Sequence, residues 1–240
     1  MKNSIVLRKA QARGGFDFGW LDTRHTFSFG EYNDPSWMGF SDLRVINEDR
    51  VQPGKGFGMH GHRDMEIVSW VLEGAIEHQD SLGNGEILRP GEIQRMSAGT
   101  GIRHSEFNPS ASEPLHFLQI WILPATKADE PGYEQKTVPA EALRDGFCLV
   151  AGPESGSHTV AIAQDAKIFA ARPGLGMHLS KDIPAGRCAW IQVTRGRVRV
   201  GEFELMAGDG AGIVGTHTVV LEALEPAEFL WFDLRTEEKQ

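Results

Sequence analysis

Short apolar runs, each closed by turn formers, recur along the whole chain. EIVSWVLEG (66–74), LHFLQIWILP (115–124), AWIQVTRG (189–196) and AEFLWFDL (227–234) are rich in β-branched and aromatic residues. They end at Gly, Pro or a charged residue. Stretches with helical period are nearly absent. PAEALRDGF (139–147) is the exception and predicts one or two helical turns. The profile predicts an all-β sandwich or barrel.

The pattern also repeats faintly. WVLEG, ending at Gly74, is followed by RPGEIQRMSAG around Gly91. QVTRG, ending at Gly196, is followed by LMAGDGAGIVG around Gly208. Each unit reads strand, tight turn, hairpin, then a turn into another strand. The first hairpin carries a longer loop, EHQDSLGNGE (77–86). Two similar β domains in tandem are expected, over residues 1–138 and 139–240. The connection is expected in the charged, Pro- and Gly-containing stretch KADEPGYEQKTVPAEALRDG (127–146).

Composition narrows the class. Hydrophobic content of 40% and charged content of 24% over 240 residues support a packed core. No apolar run is long enough for a membrane helix, so no membrane partner is expected. The first residues lack a continuous apolar segment, so no secretory signal is expected. Cys148 and Cys188 then read as buried thiols of a cytoplasmic chain. A net charge of −9 argues against direct nucleic-acid binding. The one basic cluster, RGRVR (195–199), alternates Arg with small or apolar residues and reads as the solvent face of a strand. A monomer is expected.

Candidate chemistry is concentrated in two segments. GMHGHRDMEIVSW (58–70) places His60, His62, Asp64 and Glu66 on alternate positions before an apolar strand. Side chains alternate faces along a strand, so His60 and His62 point the same way with Cβ atoms about 7 Å apart. Two imidazoles at that separation converge on one ion. MSAGTGIRHSEFNPS (96–110) supplies a second such pair, His104 and Glu106, after a Gly-rich turn. Two such pairs on neighbouring strands present four ligands to one centre. Three imidazoles and a carboxylate suit Fe(II), Ni, Cu, Mn or Zn. Parity alone leaves the carboxylate open, with Glu66 and Glu106 in competition.

The second half lacks this chemistry. Matching Gly74 to Gly196 puts Asp182 and Pro184 where His60 and His62 stand, so only the first domain is expected to carry the site. His178 and His217 read as packed or surface imidazoles. His116 and His25 are candidates for a place at the pocket or behind a ligand, beside plain packing. Glu77, His78 and Asp80 fall in the hairpin loop and read as rim or solvated residues. Phe27, Phe29, Trp37, Met38 and Phe40 read as core.

GKGFGMHGHRDMEIVSWVLEG resembles the first cupin motif. Gly54, His60, His62, Glu66 and Gly74 occupy its places, with one extra residue before the last Gly. His104 and Asn108 keep the ending of the second motif, while SAGTGIRH departs from its usual start. That departure, with WLDTRHTFSFGEYNDPSWMGFSDLRVINED (20–49), makes nearly the whole chain similar to the pirin family, some bacterial members of which have quercetin 2,3-dioxygenase activity. The resemblance implies a bicupin: two tandem cupin barrels, with metal in the first only. It implies His60, His62, His104 and Glu106 as ligands. Glu66 becomes a supporting group that accepts a hydrogen bond and orients a ligand. One divalent metal is implied, Fe(II) first, with Ni, Co, Cu, Mn or Zn admitted. A phenolic substrate such as a flavonol and O2 are the implied partners, with Glu106 as general base and CO as a product. A second reading is a metal-sensing protein that acts as a transcriptional cofactor through other proteins. A third is another cupin reaction, such as sugar isomerisation or a different phenol oxidation.

Overall fold

A computed structural model describes residues 4–236. Each half of the chain builds a seven-stranded sheet packed on a four-stranded one. In the first half the large sheet runs Gly132–Thr137, Glu92–Ser97, Glu66–Glu73, Leu115–Ile122, Leu43–Val51, Leu21–His25, Gly14–Asp17. Its small sheet runs Gly56–His62, Ile102–Phe107, Ile76–Asp80, Gly85–Leu88. Ile76 and Leu88 of the small sheet share a core with Val51, Val71, Leu115 and Phe117 of the large one. The second half repeats the plan, with Val198, Leu205 and Leu221 packed on Ile191, Ile213 and Phe229.

The two barrels meet back to back through their large sheets. Ile46, Val68, Trp70, Leu118 and Ile120 of the first share a core with Ile168, Trp190, Leu230 and Phe232 of the second. Central strands of both large sheets are therefore buried on both faces, which is why they read as unbroken apolar runs rather than alternating ones. Phe27 is part of this junction, and Trp37 and Phe40 pack on Trp190.

The repeat in the sequence is a repeat in the fold. Gly74 ends Glu66–Glu73 with φ +74°, and Gly196 ends Arg187–Arg195 with φ +69°. At each, a Cβ would collide with a proline carbonyl, that of Pro114 or Pro226. Glycine is required at both by the left-handed backbone and by that close approach.

Two expectations need correction. Residues 127–146 are not a bare connection: Gly132–Thr137 extends the first large sheet by pairing with Glu92–Ser97. Nor does a single cut at 138/139 describe the chain, because Ser4–Arg8 pairs with Gly210–Val214 at the edge of the second large sheet. The helix is Ala140–Asp145, with Leu143 buried. In the basic cluster, Val198 is buried while Arg195, Arg197 and Arg199 reach out to Glu73, Glu204, Glu222 and Glu225. Cys148 and Cys188 are buried thiols. Among the described residues no helix is long and apolar enough to cross a membrane.

Candidate metal centre and its cavity

Three imidazoles meet at one point on the inner face of the small sheet. Gly56–His62 pairs antiparallel with Ile102–Phe107, and His60 lies directly opposite His104. The Nε2 atom of His104 is 3.0 Å from that of His62 and 3.1 Å from that of His60. Burial, then the neighbouring imidazoles, pushes His104 down to about 2, and burial pushes His62 down to about 4. Both rings are therefore neutral at physiological pH. His60 Nδ1 donates to the Gly58 carbonyl at 2.8 Å, which leaves its Nε2 lone pair pointing at the other two. Three ring nitrogens facing one another are a poor mutual arrangement and a good donor set for a cation. The residues present fit a divalent metal.

Glu106 is buried beside this cluster. Its carboxylate accepts from Gln119 Nε2 at 2.7 Å and from Ser69 Oγ at 3.4 Å. Burial, then the nearby Asp49 carboxylate, pushes it up to about 7. A bulge between His104 and Glu106 separates the two in register along Gly56–His62. The donor atoms of Glu106, His104 and His78 lie within 4.8 Å of one another, and those of His60, His62 and His104 form a separate group of the same size. His104 belongs to both groups.

His78 is the residue that sequence reasoning misplaced. It is not on a rim: Ile76–Asp80 pairs with Ile102–Phe107, setting His78 opposite Glu106 and Asp80 opposite His104. His78 is fully buried, 5.4 Å ring to ring from His104 and stacked on Tyr133 at 4.8 Å. Asp80 Oδ2 holds His78 Nε2 at 3.2 Å, and Asp80 is itself fixed by the backbone N–H groups of Leu82 and Asn84. The alternation Ile76, His78, Asp80 against Glu77 and Gln79 was the available signal for a strand with these three facing inwards.

Two supporting residues fall elsewhere. Glu66 bonds Ser97 Oγ at 2.9 Å and feels Arg95 and the backbone of Ala163; its partners lie towards the domain junction, not at the histidines. His116 bonds Glu48 at 2.9 Å, and Glu48 is gripped by Arg13 at 2.8 Å. Their strand neighbours Gln119 and Asp49 line the cavity, whereas His116 and Glu48 belong to the other face of the sheet. His178 is exposed and His217 bonds the Gly215 carbonyl.

A cavity of about 550 Å³ opens over His60, His62 and Glu106. That volume suits a small planar ligand. Phe16, Phe18, Trp20, Phe29, Phe57 and Trp121 form its apolar walls. Phe29 is thus wall rather than core, and Met38 is exposed. Trp121 stands edge-on to His62 at 5.0 Å. Below them lie Thr23, His25, Asn47, Asp49 and Gln119. Of this polar floor only His25 stood out in the sequence, because buried polar residues inside a strand look like solvent-facing ones until the pairing is known.

Comparison with known proteins places these features in a family. The pirin profile matches residues 6–122, and a profile described as the quercetinase C-terminal cupin domain matches residues 149–234. Quercetin 2,3-dioxygenase of Escherichia coli K12 is 46% identical over 96% of this chain and 98% of its own. A putative quercetin 2,3-dioxygenase of Pasteurella multocida is 42% identical over 90% of this chain and 92% of its own. The crystal structure of YhhW from E. coli covers 99% of this chain and 100% of its own, with 44% identity and a TM-score of 0.94. A second YhhW structure, described as a bacterial pirin in complex with nickel(II), covers 98% of this chain and 100% of its own at a TM-score of 0.93. The chain, with its two cupin barrels, belongs to the pirin family.

Proposed function

We propose that the protein is a metal-dependent dioxygenase that opens the central ring of flavonols such as quercetin with O2 and releases CO. The observation that carries this reading is the cluster of three imidazoles, two of which, His60 and His62, line an aromatic cavity large enough for a flavonol. Near-full-length likeness to quercetin 2,3-dioxygenases supports it. His60, His62 and His104 would hold one divalent metal, with Glu106 as the fourth donor. Fe(II) leads among metals, and nickel(II) in the E. coli relative keeps that ion in contention. When bound, such a metal supplies Lewis-acid polarisation of a phenolic hydroxyl and a centre where O2 chemistry is possible.

The protein's own groups do the rest. The aromatic walls bind the planar rings and exclude water. Glu106, buried and oriented by Gln119 and Ser69, takes the proton of the flavonol hydroxyl. The Gly58 carbonyl fixes the His60 ring, and His78, held by Asp80, packs against the His104 ring.

The test is aerobic quercetin consumption with CO detection, on protein reconstituted separately with Fe(II), Ni, Co, Cu, Mn and Zn. Turnover with at least one ion, lost in His62→Ala, is the expected result. Stoichiometric metal binding with no turnover on any ion would remove the flavonol assignment and favour the metal-sensing alternative.

A further inference from the structure

The large sheet of the first barrel turns a line of polar side chains towards the cavity. Cross-strand pairing sets Ser69 opposite Gln119, Gln119 opposite Asn47, and Asn47 opposite His25. Directly paired residues share a face of the sheet. Thr23 and Asp49 are paired in the adjacent row. One end of this line is already employed, since Ser69 and Gln119 hold Glu106. At the other end Thr23 bonds Asp49, and three further polar atoms are left over. His25, Asn47 and Asp49 are 6%, 3% and 3% exposed, and all three line the cavity. Asn47 Oδ1, Asp49 Oδ1 and His25 Nδ1 make no hydrogen bond among the described residues.

These three atoms ask for one kind of partner. The Asn47 amide oxygen accepts hydrogen bonds, and the Asp49 carboxyl, pushed up to about 7 by burial, accepts through its free oxygen and donates when protonated. Burial keeps the His25 ring neutral, with the Phe29 carbonyl as its one backbone partner, so the unpaired Nδ1 is an acceptor as well. A ligand that fits must bring donors. An ionised carboxylate or phosphate brings no donor for Asn47 or His25. The walls on either side, Phe16, Phe29 and Trp121 among them, call for a flat aromatic body.

We propose that His25, Asn47 and Asp49 form a recognition subsite for hydroxyl groups carried on an aromatic ring, so that the cavity selects polyhydroxylated ligands over bare ones. The proposal rests on the flavonol reading only for which end of the ligand reaches the histidines. Unpaired buried acceptors are costly, so a ligand lacking the hydroxyls loses affinity even when its shape is right.

The experiment compares two probes on nickel-loaded protein without oxygen, by quenching of tryptophan fluorescence. Quercetin carries hydroxyls on both outer rings. 3-Hydroxyflavone keeps the same hydroxy-ketone edge and lacks the others. Quercetin is expected to bind at least roughly tenfold tighter. Asn47→Leu should erase most of that advantage and leave 3-hydroxyflavone unchanged. Asn47→Asp, which keeps an acceptor oxygen, should restore it. His25→Phe, which keeps the ring, should reduce it, and it carries the test if Asn47→Leu does not fold. Equal affinity of the two probes for the unaltered protein, or equal weakening of both by the variants, overturns the proposal. Equal binding of the two probes, with turnover of both once air is admitted, would spare the dioxygenase reading and remove this subsite. Discrimination in binding without turnover would do the reverse.

Discussion

Asp49 and Glu48 are neighbours in sequence with opposite pH behaviour, because alternate positions of one strand face different surroundings. Burial pushes Asp49 up to about 7. Its folded pKa lies above the unfolded value, so its contribution is full below about pH 4 and is lost as pH rises towards 7. Burial would raise Glu48 too, but the His116 hydrogen bond and Arg13 outweigh it and hold the carboxyl at about 2. Its contribution is present above about pH 4.5 and is lost as pH falls towards 2. Thermal melts of metal-free Asp49→Asn against pH should therefore lack a loss of a few kcal/mol that the parent shows between about pH 4 and 7. An identical slope in the two would refute the assignment. His78 makes a second prediction at this scale. It packs against His104 and is pinned by Asp80, so His78→Phe should weaken metal binding roughly tenfold, as loss of a supporting residue does. Competition with a chelator measures it, and unchanged affinity would reduce His78 to packing.

At the scale of elements, the site depends on strands that come from distant parts of the chain. Gly132–Thr137 brings Tyr133 to the back of His78, and the Tyr133 hydroxyl is held by Gln94 and Gln135. Ser4–Arg8 closes the edge of the other barrel, followed by Lys9, whose ammonium meets buried Asp209 at 2.9 Å. Removing residues 1–9 should lower the melting temperature by about 5–10 °C and promote association, since it bares a strand edge and leaves Asp209 without its cation. Differential scanning calorimetry with light scattering checks both effects. A truncated chain that melts with the parent would show that the strand adds nothing.

The whole molecule behaves as a unit because its largest core lies between the barrels. Trp70 of the first barrel donates to Glu228 of the second at 2.7 Å, and Arg172 meets the same carboxylate at 2.9 Å. Arg195 reaches across to the Leu72 carbonyl at 2.7 Å. One calorimetric transition is expected for the intact chain. Glu228→Ala should cost about 3 kcal/mol by stranding a buried indole N–H and an arginine. If the two barrels melted separately, and the first kept its midpoint in this variant, the junction would not couple them.

The order of apolar runs, the placing of turn glycines and the two spaced histidine pairs are local properties, and the sequence by itself determined them. Strand period alone puts His60 with His62 and His104 with Glu106, and Gly74 and Gly196 mark the repeat through a backbone that only glycine adopts easily. Register between strands is not local. It decided that His60 faces His104, that His78 lies beneath them, and that Glu66 and His116 turn away. It also decided that Asn47, Asp49 and Gln119 form a cavity floor, because a polar residue in a strand carries no mark of which face will be buried until its partner strand is in place.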